Sequence, residues 1–79
     1  MKIKVLYFAS LQENAKKNEE VLELDCKNAK ELYLHLKDKY DFELSLDDLK
    51  VAINEKYSNF EVELKNDDVI AFIPPIAGG

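Results

Sequence analysis

A chain of 79 residues, 47% hydrophobic and 34% charged, has room for one domain with one modest core, and no span of it is apolar enough to cross a membrane. Sixteen acidic residues against eleven basic ones, a net charge of −5, exclude a nucleic-acid binder, which needs clustered Lys and Arg, and predict a basic partner instead. Cys26 is the sole cysteine, so an internal disulfide and a cysteine metal cluster are excluded, packing alone must hold the fold, and a cytoplasmic setting without export is expected.

Residues Lys2 to Ala9 alternate with the two-residue period of a strand, Ile3, Val5 and Tyr7 on one side and Lys4, Leu6 and Phe8 on the other. Ser10 to Asn18 reads as a polar connection. Glu19 to Cys26 repeats the strand pattern, with Leu22, Leu24 and Cys26 on its inward face. Asn28, followed three residues later by Glu31, is an N-cap with a capping-box partner, so a helix begins at Ala29 with a core stripe of Ala29, Leu32, Tyr33, Leu36 and Tyr40.

Asp41 to Asp48 breaks that stripe, and Leu49 to Asn54 is a third strand. Tyr57 to Leu64 holds a turn and a short strand, and Lys65-Asn66-Asp67-Asp68 is a turn whose Asn and Asp tolerate left-handed backbone. The last strand, Val69 to Ile73, is stopped by Pro74 and Pro75, which cannot donate ladder hydrogen bonds. This order predicts an α+β domain over residues 1–73 with a tail over 74–79. The arrangement is that of a β-grasp: a mixed four- to five-stranded sheet with one main helix packed on one face. With the first and last strands side by side, Ile3, Val5, Tyr7, Ile70 and Phe72 face the helix, and Leu6, Phe8, Ala71 and Ile73 face outward. An uncovered face that apolar predicts a protein partner, unless Phe8 tucks under the Ser10 to Asn18 connection.

Autonomous catalysis has little to build on. His35 lies off the helix stripe, and Cys26 continues the inward-facing set. The acidic pairs lack EF-hand spacing, so no metal site is expected. Both glycines of the chain stand at positions 78 and 79. At a usual glycine frequency of about 7%, two terminal glycines arise by chance in roughly 0.5% of chains. The run Pro74, Pro75, Ile76, Ala77, Gly78, Gly79 is a stiffened projection ending in residues without bulk, suited to a narrow channel. Its reactive group is the Gly79 carboxylate, which is ionised at neutral pH and needs activation before acyl chemistry.

The stretches Lys4-Val5-Leu6-Tyr7-Phe8-Ala9 and Val69 to Gly79 resemble the small-subunit family of molybdopterin synthase, a ubiquitin-like sulfur carrier within a heterotetrameric enzyme. The resemblance implies that an adenylating enzyme uses ATP to activate Gly79, that a sulfur donor protein converts it to a thiocarboxylate, and that the tail delivers sulfur to cyclic pyranopterin monophosphate. Transfer would take place inside the large subunit, which holds the catalytic groups; no cofactor is bound permanently. It further implies that Phe8, Tyr57 and Ile73 contact the large subunit. Two positions depart from the family pattern: Gln12 replaces a frequent Arg, and Asn66-Asp67-Asp68 replaces Asp-Gly-Asp. The same Gly-Gly end also suits carriers for thiamine, cysteine, tRNA or a tungsten cofactor, and a ubiquitin-like modifier; an adaptor with an idle tail is a further reading.

Overall fold

Residues 1–75 are described by the structure, a computed structural model. Strand β1 (Lys2–Tyr7) is followed by α1 (Ala9–Ala15), β2 (Glu19–Glu23), α2 (Ala29–Tyr40), a 3-10 turn (Leu46–Asp48), β3 (Lys50–Ile53), β4 (Lys56–Ser58) and β5 (Val69–Ile73). The sheet order is β2-β1-β5-β3-β4. Only β1 and β5, at its centre, run parallel, with Val5 opposite Ile70 and Tyr7 opposite Phe72. The α+β grasp expected from the element order is therefore present, with five strands and α2 across one face.

Alternation decides the core: Ile3, Val5, Tyr7, Ile70 and Phe72 are buried beneath Ala29, Leu32, Tyr33 and Leu36 of α2, while Tyr40 is half-buried. The Asn28 side chain accepts from the Glu31 backbone N–H at 3.0 Å, and the Glu31 carboxylate accepts from the Lys27 N–H at 3.0 Å, so the first turn of α2 is capped from both directions. The helix ends at Asp41, whose φ of 57° lets its N–H reach the Lys37 carbonyl. The polar segment after it is anchored by Phe42, buried against Tyr7 and Tyr33, and by the Tyr33 hydroxyl, which donates to the Leu44 carbonyl at 2.7 Å. Burial first, and then the charge of Asp48, pushes the Tyr33 hydroxyl up to about 12, so it remains a donor.

Three expectations are corrected. Ser10 to Asn18 is not a plain connection: α1 occupies Ala9–Ala15 and buries Leu11 and Ala15, an i,i+4 pair that pins one helical face to the core. The first strand stops at Tyr7 because Ala9 takes a φ of 50° and turns the chain into α1. The second strand stops at Glu23, and Cys26 beyond it is half-buried at the core's edge; burial, then Glu31 and Asp25, raises the thiol away from its nucleophilic form.

One polar group secures the sheet to α2. The largely buried Glu20 carboxylate accepts from the Tyr7 hydroxyl at 2.6 Å and the Tyr40 hydroxyl at 2.7 Å, with Lys17 at 3.5 Å and Lys39 at 3.8 Å. Burial alone would raise the Glu20 pKa, but the two phenol donors and the two ammonium groups together outweigh it and hold it below the ordinary 4.5. A depressed folded-state value stabilises the protein above the ordinary carboxylate pKa, and that contribution is lost as pH falls through the depressed value. Glu20→Ala, which strips the buried Tyr7 hydroxyl of its acceptor, is expected to cost about 2–3 kcal/mol at pH 7. Urea melts at pH 7 and pH 3 check this: the gap between variant and wild type should narrow at the lower pH.

No glycine serves any turn of the described chain, and six other residues adopt positive φ. In the β3–β4 hairpin both connecting residues do so, Asn54 at 53° and Glu55 at 71°. Asn54 is well used: its amide N donates to Asp68 Oδ1 at 2.8 Å and its Oδ1 accepts from the Val69 N–H at 2.9 Å, joining the hairpin to the start of β5. Glu55 has no comparable contact. Glu55→Gly, giving the preferred Asn-Gly turn, is expected to stabilise by about 1 kcal/mol and raise the melting temperature by about 4 °C or more, read by circular dichroism.

Candidate functional site

The sheet face opposite α2 carries no helix. Lys4 and Leu6 of β1, Val69, Ala71 and Ile73 of β5, and Lys50 and Ala52 of β3 alternate with core residues and point to that side, as does Tyr57 of β4, which stands opposite Ala52. Phe8 joins them. It continues the extended backbone of β1, and its carbonyl accepts the Leu11 N–H at 3.1 Å to start α1, so the helix turns away from the ring rather than covering it. Phe8 is 44% exposed and Tyr57 74% exposed, values that remove the reading in which Phe8 is tucked under the following segment.

Two grooves converge where β5 ends. One, of about 620 Å³, runs between Phe8, Glu13 and the Ile73-Pro74-Pro75 run; the other, of about 460 Å³, lies between Tyr57, Asp47 and the same three residues. The three expected partner contacts, Phe8, Tyr57 and Ile73, thus form one patch around the root of the tail. Pro74 is buried and Pro75 exposed. Ile76, Ala77, Gly78 and Gly79 lie outside the described residues.

The negative charge of the chain does not sit on this face. Lys2, Lys4 and Lys50 stand there with Glu19 and Glu23, and Lys4 is bonded to Glu19 at 3.0 Å. Acidic groups instead flank the grooves, with Glu13 on one side and Asp47 and Asp48 on the other. Lys50 lies beside Asp47 and Asp48 on the second of these grooves. Gln12 donates to Asn18 Oδ1 at 3.0 Å and so is engaged within the chain, and Asp67 supplies the left-handed position of the 65–68 turn with φ 70°.

His35 is exposed on α2, and among the described residues no group of three His, Cys, Asp or Glu side chains could hold a metal. No helix of the described chain is long and apolar enough to cross a membrane.

Residues 5–79 match the model of the ThiS family. The chain belongs to that family. It is 38% identical to the molybdopterin synthase sulfur carrier subunit of Haemophilus influenzae, over 98% of this chain and 99% of the relative. Among solved structures, the complex of subunits 1 and 2 of molybdopterin-converting factor from Helicobacter pylori contains a chain 28% identical with a TM-score of 0.69, covering all of both chains. Small archaeal modifier protein 1 from Methanosarcina acetivorans superposes with a TM-score of 0.78 at 27% identity, over 99% of this chain and 96% of that one. The ThiS-family membership and the ubiquitin-like grasp match the resemblance carried by the two end segments.

Proposed function

We propose that this chain is the sulfur carrier of a molybdopterin synthase, with Gly79 as the loaded group. An adenylating enzyme uses ATP to form the Gly79 acyl-adenylate, releasing pyrophosphate; sulfur from a donor protein displaces AMP and leaves a thiocarboxylate. The large subunit docks on Phe8, Tyr57 and Ile73, the run Pro74, Pro75, Ile76, Ala77, Gly78 threads into its active site, and the thiocarboxylate sulfur bonds to a carbon of cyclic pyranopterin monophosphate while water cleaves the acyl–sulfur bond and restores the Gly79 carboxylate. Two such transfers build the dithiolene. The catalytic groups are assigned to the large subunit; among the described residues His35 is exposed on α2 and the Cys26 thiol is raised away from its nucleophilic form.

The observation that carries this reading is the continuity between the uncovered apolar patch and the Pro-Pro root of the tail: a partner seated on Phe8 and Ile73 is already beside Pro74 and Pro75. The full-length likeness to the sulfur carrier subunit of Haemophilus influenzae supports the choice of acceptor. Intact mass of the protein taken from a cell extract tests it, the expected result being a population in which one terminal oxygen is exchanged for sulfur. A population carried instead as isopeptides on lysines of other proteins would favour the modifier reading, which the likeness to the archaeal modifier supports.

A further inference from the structure

The sheet has two edges, β2 and β4, and they are not alike. A free edge invites a further strand, and natural edges are blunted by shortness, lysine, proline or a bulge. β4 has three residues and starts on Lys56. β2 has five, Glu19 to Glu23, without lysine or proline, and it pairs with β1 in unbroken register.

That register says which backbone groups of β2 are free. The Tyr7 N–H donates to the Asn18 carbonyl at 2.8 Å and the Leu24 N–H to the Met1 carbonyl at 3.0 Å, so the alternation of an antiparallel ladder gives Glu20 and Leu22 to β1. The N–H and C=O groups of Glu19, Val21 and Glu23 point away from the sheet and meet no backbone partner among the described residues. Their side chains are exposed, Val21 by 57%, while Leu22, on the α2 side of the edge, is half-buried.

Charge decides what can pair there. Two copies of β2 in fully overlapped antiparallel register would set Glu19 against Glu23 twice, and like charges directly opposite destabilise a sheet. A strand that fits instead carries Lys or Arg opposite Glu19 and Glu23 and apolar residues opposite Val21 and Leu22. Glu23 is the stronger anchor, because Glu19 is already bonded to Lys4 at 3.0 Å while Glu23 forms no ion pair among the described residues.

We propose that the β2 edge takes an added antiparallel strand from another protein, an extended segment with basic residues at both ends and an apolar middle. Backbone bonds to Glu19, Val21 and Glu23 hold it, and the glutamates select it. The edge lies two strand spacings from β5, about 10 Å, and does not include Phe8, Tyr57 or Ile73, so a partner held there leaves the tail root free. The proposal is independent of the sulfur-carrier reading.

The test is NMR titration of the full chain with the capped heptapeptide Ser-Lys-Val-Val-Thr-Lys-Ser and with its counterpart in which both lysines are glutamate. The lysine peptide is expected to slow amide exchange of Glu19, Val21 and Glu23 by about fivefold or more at saturation, and to bind about tenfold more tightly than the glutamate peptide. Val21→Pro removes an outward N–H that the β1 ladder does not use, so it is expected to fold and to weaken binding by about tenfold. Should Val21→Pro lower stability, Glu19→Gln with Glu23→Gln serves in its place: both sites are exposed, the melt is expected to match wild type, and the preference between the peptides should vanish. No binding, equal wild-type affinity for both peptides, a preference that persists in the glutamine variant, or a folded Val21→Pro that binds like wild type overturns the proposal. A wild-type chain that dimerises at neutral pH with these three amides protected makes a second copy the occupant and overturns it as well.

Discussion

Deletion of Gly79 is expected to reduce sulfur transfer to background while affinity for the large subunit stays within about threefold. On the proposed function the contacts of Phe8, Tyr57 and Ile73, all exposed or half-buried at the root of the tail, survive the deletion, so docking is expected to be retained. Gly78 can still carry a thiocarboxylate, but its sulfur stops one extended residue short, about 3.4 Å, where a misplacement of about 1 Å already costs on the order of a hundredfold. A single-turnover assay with chemically loaded full-length and shortened chains separates the two effects. Equal transfer by both chains would overturn the requirement for a terminal position at Gly79, and lost binding by the shortened chain would make the tail the main anchor.

Phe8→Asp carries the second large effect, in the opposite sense: transfer falls because docking falls. A carboxylate placed in a desolvated apolar contact costs about 3 kcal/mol, a dissociation constant raised by about a hundredfold. Folding is expected to be intact, because Phe8 lies outside the core cluster and its structural duty is a backbone one, the carbonyl that starts α1. Calorimetry with a parallel thermal melt checks both statements. Saturating large subunit should restore transfer by Phe8→Asp but not by the Gly79 deletion, since only the first is a binding defect.

Much of this surface was legible before any coordinates because alternation is strict in the two central strands. The period of two in Lys2 to Tyr7 and Val69 to Ile73 assigns every side chain to a face, and the prolines set the end of β5 at Ile73. Asn28 and Glu31 likewise located the start of α2. The misses have physical reasons. Helix α1 is seven residues long with no side-chain N-cap bond, so tertiary burial of Leu11 and Ala15 holds it, and that spacing was its only signal. Phe42 stands in a segment that reads as polar, and its burial depends on three rings from two elements, Tyr7 of β1 and Tyr33 and Tyr40 of α2. The Glu20 cluster depends on cross-strand register, which alternation alone leaves open.

The parallel pairing of β1 with β5 has a consequence for damaged chains. Lys4 meets Val69 across nearly the whole sequence, so the sheet centre closes only after the longest available loop has been drawn together. A fragment cut anywhere ahead of Val69 loses that centre and the partner strand of β3 with it. Such a fragment cannot persist as a folded decoy. On the proposed function, proteolysis upstream of β5 therefore removes binding and delivery together, and the large subunit is spared inhibitors that occupy its surface with no tail root to offer.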